Sequence, residues 1–317
     1  MARFVIHGTT SITSHELPIC ETDEGQQQGQ LPFVLPGWQL RLAIADEWAD
    51  DDFPFFIEAV PDAHLATEEA VDRLQRQLFL MLSFVAGREI GLAVTAGLNA
   101  ADQVVWGQWS SPRTGTGQWR WCPDHLVNDA LPELAQGFSK LATDTTMEKV
   151  VDRAINLYLA ANGTQPLDVR IPVAASGLEL LAWAVLLAQR WLTTDGMSRL
   201  SVAAYRQRLL LRWGDIPIDV PDTFAALEGR RASLRSQPDP AGPEVIAAIR
   251  NGLVHPPKQL TDLEWPTVDE MAQAWRLGMN YLELVIMRLL GYEGHYLPRL
   301  QIVDRWVTDT AVVPWAR

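Results

Sequence analysis

Arg250-Asn251-Gly252-Leu253-Val254-His255 stands directly before Pro256-Pro257, with Pro243 a short way upstream. Proline is accepted in the first turn of a helix and cannot continue one, so this spacing predicts a short helix from Pro243 through Arg250 that runs out near His255. An arginine, an asparagine and a histidine are thereby gathered at a helix end. Asn251 and His255 are four apart and share a face if the helix continues; Arg250 and His255 are five apart and fall on different azimuths at 3.6 residues per turn. On that geometry, convergence of Arg250 with His255 depends on long side chains and a partner.

The flanking segments read as helices too. Thr145-Thr146-Met147-Glu148 is a capping-box sequence that opens a helix to about residue 161, and residues 172–192 form a long apolar helix carrying Glu179. Further helices are expected at 198–211 and 223–234. Thr267-Val268-Asp269-Glu270 caps a last long helix whose buried stripe is Met271, Trp275, Met279, Leu282, Ile286 and Leu289, with Gly291 as its stop. Ser176-Gly177 within the long apolar helix suggests close helix packing. Arg199, Arg206, Arg208, Arg212, Arg230, Arg231 and Arg235 form a local basic cluster, which either coats a solvated helix pair or sits beside phosphates.

Before residue 126 the pattern differs. Short β-type runs occupy residues 3–6, 39–45, 54–60, 90–95 and 103–108, punctuated by Pro and Gly. One helix is expected at 67–86, where Val71, Leu74, Leu78, Leu82 and Val85 recur at helical spacing, Glu68 and Glu69 fill the first turn and Gly87 follows. The polar, glutamine-rich stretch 21–30 reads as an exposed loop. Trp106, Trp109, Trp119 and Trp121 read as packing residues first and as a stacking surface second. The expected fold class is α+β, with a β-rich domain over 1–125 built around one main helix and an all-α bundle over 126–317.

Composition bounds the function. A chain of 317 residues with 48% apolar side chains buries a substantial core. No basic-then-apolar leader is evident and no apolar run is expected to span a bilayer, so a cytoplasmic location is the default. Cys20 and Cys122 stand far apart without neighbouring ligands, which argues against a disulfide framework or a zinc site. The net charge of -13 argues against nucleic acid in general, yet it is unevenly spread: residues 1–144 hold 20 acidic and 8 basic side chains, residues 145–317 hold 19 and 18. The acidic half is therefore the better candidate for a protein partner. His7, His15, His64, His125 and His295 are scattered singly, and Asp50-Asp51-Asp52 reads as a solvated acidic turn.

The arginine, the polar residue directly after it and the histidine a few residues later, on a late helix, resemble the motif of the HEPN superfamily. Leu-Glu-Leu-Leu at 178–181 and the final helix ending Leu289-Leu290-Gly291-Tyr292-Glu293-Gly294 extend the resemblance to HEPN domains of bacterial defence and abortive-infection proteins, over about residues 145–297. The resemblance implies an HEPN-like helical bundle, a homodimer with the site across its two-fold interface, and RNA as substrate.

The residues suit such chemistry without a metal or cofactor. In RNA cleavage by attack of the ribose 2′-OH, a group titrating near neutrality must move the proton, and histidine is that side chain. Fixed positive charge must meet the phosphorane oxygens, a task for the planar guanidinium. His255 takes the first role, Arg250 the second, and Asn251 orients the imidazole or a phosphate. Glu179 either faces this cleft and tunes the histidine or serves as a structural ion-pair partner. The expectation is a metal-independent endoribonuclease of defence or stress, with the acidic half sensing a trigger or restraining activity. The alternatives are a non-catalytic nucleotide- or protein-binding module and a structural subunit of a larger assembly.

Overall fold

A computed structural model describes residues 3–8, 20–22, 25–27, 30–44, 55–62, 67–110, 115–117, 119–234, 239–255, 259, 261, 264–300 and 309–316. His15, His64, Asp50-Asp51-Asp52, Arg235 and Pro256-Pro257 lie outside them. The chain is α+β: a strand-rich N-terminal region is followed by helices from residue 127 onward. It divides into two compact units, Met1–Thr145 with Leu290–Tyr296, and Thr146–Leu289 with Leu297–Arg317. The division thus falls after Thr145, not near residue 125, and a short late segment joins the first unit.

In the first unit, β1 (Arg3–Gly8), β4 (Gln30–Leu35), β5 (Trp38–Ile44), β6 (Phe55–Pro61), β7 (Leu92–Leu98) and β8 (Val104–Trp109) form an antiparallel sheet in the order β4-β5-β6-β1-β7-β8. The stretch expected as an exposed loop instead holds β2 (Cys20–Thr22) paired with β3 (Gly25–Gln27), and Gln30 already opens β4. Its polar composition hid the pairing, because a short hairpin needs backbone hydrogen bonds rather than an apolar face. The period of two sends Leu31, Phe33 and Leu35, Leu40 and Leu42, and Phe55, Ile57 and Ala59 to one buried face.

Helix α1 (Glu68–Ala86) starts where Thr67 Oγ1 accepts from the Ala70 N–H at 3.2 Å and ends at Gly87, whose φ of 65° is the left-handed cap that glycine adopts without strain. Gln75 ties it to the sheet by donating to Thr95 Oγ1 at 2.6 Å and Gln108 Oε1 at 3.2 Å. Helix α2 (Val127–Leu141), which belongs to this unit, packs beside α1 and β4. A Cβ at Gly137 would collide with the Leu290 carbonyl oxygen, so α2 approaches this point backbone to backbone. The four tryptophans separate: Trp121 is buried between Phe84 and Tyr292 and donates to Phe84 O at 2.8 Å, whereas Trp109 is 81% exposed on the edge strand β8.

The second unit is helical: α3 (Thr145–Asn162), α4 (Leu167–Ala188), α5 (Thr194–Arg199), α6 (Ala203–Trp213), α7 (Ala225–Ser233), α8 (Gly242–Val254) and α9 (Val268–Leu290). The helix expected over 198–211 is broken into α5 and α6, and α4 begins five residues before Pro172. Helix α4 is long and apolar enough to cross a membrane by length and composition, contrary to the sequence expectation, but 56% of the window that qualifies is buried inside the unit. It packs on α6 and α8, and a Cβ on Gly177 would press on the Leu282 methyls at 3.1 Å. The stripe expected on α9 widens to all sides: every residue from Leu277 to Met287 is buried, including Asn280 and Glu283.

Burial of Glu283 is answered by a polar network. Arg299 Nε donates to Glu283 Oε2 at 2.8 Å, its Nη2 donates to Glu283 Oε1 at 2.7 Å and to Asn162 Oδ1 at 2.8 Å, and Tyr158 Oη donates to Glu283 Oε1 at 2.9 Å. Burial and the Glu283 carboxylate push the Tyr158 phenol well up, so it stays a donor. Burial works against the Arg299 charge, but the Glu283 carboxylate and the Tyr158 phenol together outweigh it and raise the guanidinium pKa.

Candidate active site

Helix α8 carries the motif to its place. Its start is fixed by Glu244, whose carboxylate accepts from the Ala241 N–H at 2.9 Å, and by Pro243 in the first turn. Val245, Ile246 and Ile249 are buried, which leaves Arg250 half-buried and Asn251 exposed where the apolar stripe runs out. The His255 N–H still donates to Asn251 O at 2.9 Å, but the residue itself is extended, with φ -117° and ψ 118°.

That departure from the helix brings the motif together within one chain. Arg250 Nη1 donates to Asn251 Oδ1 at 3.1 Å and lies 3.3 Å from His255 Nε2. Convergence therefore needs no partner, contrary to the azimuth argument, because His255 no longer follows the helical path. An arginine N–H only donates, so in this contact Nε2 is the acceptor and the ring proton belongs on Nδ1. Arg250 Nε is buried and has no hydrogen-bond partner among the described residues.

Glu179 is not brought to these three. It lies half-buried on α4, and no hydrogen bond or ion pair joins it to the motif among the described residues. Asp168, in the first turn of α4, lines a cavity with Leu253 of α8, and Glu179 stands eleven residues further on, about 16 Å away at 1.5 Å per residue.

This cavity, about 560 Å³, is what the sequence did not reveal. Its walls also include Trp265 and Pro266, from the segment that leads into α9, and Val268 and Met271, from the first turn of α9. Trp265 is 61% exposed, and a Cβ on Gly252 would meet Pro266 at 3.5 Å, which shows how closely that segment lies against the end of α8. The only hint in the sequence is an isolated tryptophan between a glutamate and a proline, which has no periodicity to mark it.

Three arginines of the basic cluster are held in ion pairs. Arg208 pairs with the buried Glu244 at 3.2 Å and donates to Asp239 O at 2.8 Å, Arg231 pairs with Glu228 at 2.9 Å, and Arg230 reaches Glu270 at 4.0 Å. Cys122 is buried, and among the described residues no group of three or more His, Cys, Asp or Glu side chains is placed to hold a metal ion.

Two family models match the chain: the YopA central domain over residues 57–121 and the YopA C-terminal domain over residues 144–312. Among curated proteins, the SPbeta prophage-derived uncharacterized protein YopA of Bacillus subtilis (strain 168) is 27% identical over 253 residues, which is 78% of this chain and 54% of that protein. The chain thus spans about half the length of this relative. No solved structure matches this chain significantly. The C-terminal match takes in more than half of the residues, the motif among them, and the chain belongs to the YopA C-terminal domain family.

Proposed function

We propose that this chain is a metal-independent endoribonuclease of the HEPN type, working in bacterial defence or stress, with Arg250, Asn251 and His255 as its site. The observation that carries the reading is the convergence of the Arg250 guanidinium on His255 Nε2 and Asn251 Oδ1 at an exposed helix end. A neutral imidazole at this position accepts the proton of a ribose 2′-OH once a substrate phosphate draws the guanidinium away. The 2′-oxygen attacks phosphorus, the bond to the 5′-oxygen breaks, and the leaving oxygen takes a proton from water. The Arg250 guanidinium donates to a phosphate oxygen, and its fixed charge meets the phosphorane where charge grows.

RNA is the substrate in this reading, a homodimer through the helical unit doubles the site, and the acidic N-terminal region recognises a protein trigger. The prophage origin in the name of the Bacillus relative suits a role in conflict between phage and host.

A second reading, a nucleotide- or protein-binding module that does not cut, is favoured by the same contact, since Arg250 occupies the ring nitrogen a base would use. The experiment is cleavage of a labelled tRNA and mRNA pool in EDTA by wild type, Arg250→Ala and His255→Ala. Products ending in 2′,3′-cyclic phosphate, lost in both variants, are expected. Equal cutting by the variants removes the motif from the reaction, and an inert wild type moves the chain to the binding module.

A further inference from the structure

We propose that the cavity beside the motif is a nucleobase subsite, which makes the substrate a single-stranded RNA with an unpaired guanine next to the scissile phosphate. The inference rests on the ribonuclease reading and names what that site selects.

Position comes first. Leu253, in the cavity wall, lies three residues after Arg250, which on a helix is about 60° around the axis, so the cavity opens on the side of α8 that carries the guanidinium. A phosphate held by Arg250 leaves its adjoining nucleoside facing this cavity. At about 560 Å³ the space falls within the roughly 300–1,000 Å³ of small-molecule sites.

The chemistry of the walls then selects the occupant. Trp265, 61% exposed, brings to the wall an indole of the kind on which bases stack, while the side chains of Pro266, Val268 and Met271 offer apolar contact and no donor for a second phosphate. Among the described lining residues Asp168 is the one charged group. An ionised carboxylate only accepts, and the Watson–Crick edge of guanine supplies two adjacent donors, N1–H and the 2-amino group, whereas uracil supplies one donor flanked by two carbonyls that the carboxylate repels. A base already paired in a duplex has that edge occupied and its faces stacked, so the site reads unpaired strands. Cation, amide and imidazole on one side, and indole and carboxylate on the other, together complement the phosphate and base of one nucleotide.

The test uses the full chain and a short single-stranded RNA with every 2′-hydroxyl methylated, so that it binds but cannot be cut, and one fluorescent guanine analogue that keeps N1–H and the 2-amino group as reporter of stacking. Wild type is expected to quench the reporter saturably. Trp265→Ala should weaken binding about tenfold or more, Trp265→Phe should restore most of it, and Asp168→Asn should erase the advantage of guanine-containing over uridine-containing competitors. RNA binding without quenching overturns the proposal, as does unchanged affinity in Trp265→Ala. Sedimentation of Trp265→Ala as a smaller species than wild type also overturns it, by assigning the cavity to a second copy of the chain. Cutting of the unmethylated strand is scored separately: quenching without cutting retains the subsite and removes the ribonuclease, and cutting without quenching does the reverse.

Discussion

Arg299 grips Glu283 through two hydrogen bonds, 2.8 Å from Nε and 2.7 Å from Nη2, with both side chains 1% exposed. Breaking such a pair strands a buried charge. Arg299→Ala is expected to cost about 3–5 kcal/mol, seen as a large loss of Tm in a calorimetric melt. Replacing both partners with leucine should recover part of that loss, since no lone charge remains while Tyr158 and Asn162 still lose partners. Equal losses in the single and double variants would show that the charges are not what holds this point.

Gly137 and Gly229 separate crowding from helix propensity. At Gly137 a new methyl group meets the Leu290 carbonyl, and Gly137→Ala should destabilise by about 1–3 kcal/mol despite alanine's better propensity. At Gly229 on α7 nothing lies within 4 Å of a new Cβ, so Gly229→Ala should stabilise by up to about 1 kcal/mol. Parallel denaturant titrations of the two variants read both signs.

Glu133 gives a pH dependence. Partial burial raises its carboxyl above the ordinary 4.5, the hydrogen bond from the Glu293 N–H opposes this, and the charges of Glu293 and Asp129 add to the rise. Because the folded chain holds this proton more tightly than the unfolded chain, the stabilisation is complete below the unfolded pKa and disappears as pH rises through the folded one. Glu133→Gln keeps the acceptor and removes the charge. It should raise Tm at pH 7 and leave it nearly unchanged at pH 4, measured by thermal melts at the two values.

Arg250→Lys tests geometry against charge. The lysine keeps a cation but lacks the planar guanidinium, of which Nη1 alone meets Asn251 and His255 and leaves Nη2 for a phosphate. On the ribonuclease reading, cutting should fall at least tenfold while affinity for uncleavable RNA and its salt dependence change little. Full activity in Arg250→Lys would reduce the guanidinium to a point charge.

The motif and its helix were legible in the sequence because Pro243 and Pro256 bracket them, but the path of His255 was not. That path is a matter of two backbone angles at a helix end, which no spacing records. Proline also misled. Pro132 and Pro172 each stand sixth in their helices, and a reading that starts or stops helices at proline leaves α2 without bounds and trims α4. One lost backbone hydrogen bond is outweighed there by buried neighbours such as Leu131 and Leu134, or Ile171 and Ala174. The stripe of α1 was readable from its first half, where Asp72, Arg73 and Arg76 are exposed, although every residue from Leu80 to Val85 is buried. Helix α9 has no wet side along its middle, so a one-sided pattern understated its burial. Asp168 and Trp265 are nearly a hundred residues apart in sequence, and only tertiary packing makes them walls of one space.

The interleaving of the two compact units also matters for how such a protein is inherited and handled. The chain leaves the first unit after Thr145, returns to it at Leu290 and leaves again after Tyr296. No single cut in the gene yields two intact halves. A fragment stopped at Thr145 lacks Tyr292, the ring against Trp121, and a fragment begun at Thr146 carries a stray piece of its neighbour's interior. Recombination that swaps one part for a foreign one must therefore join at three points, which favours transmission of the pair as one cassette.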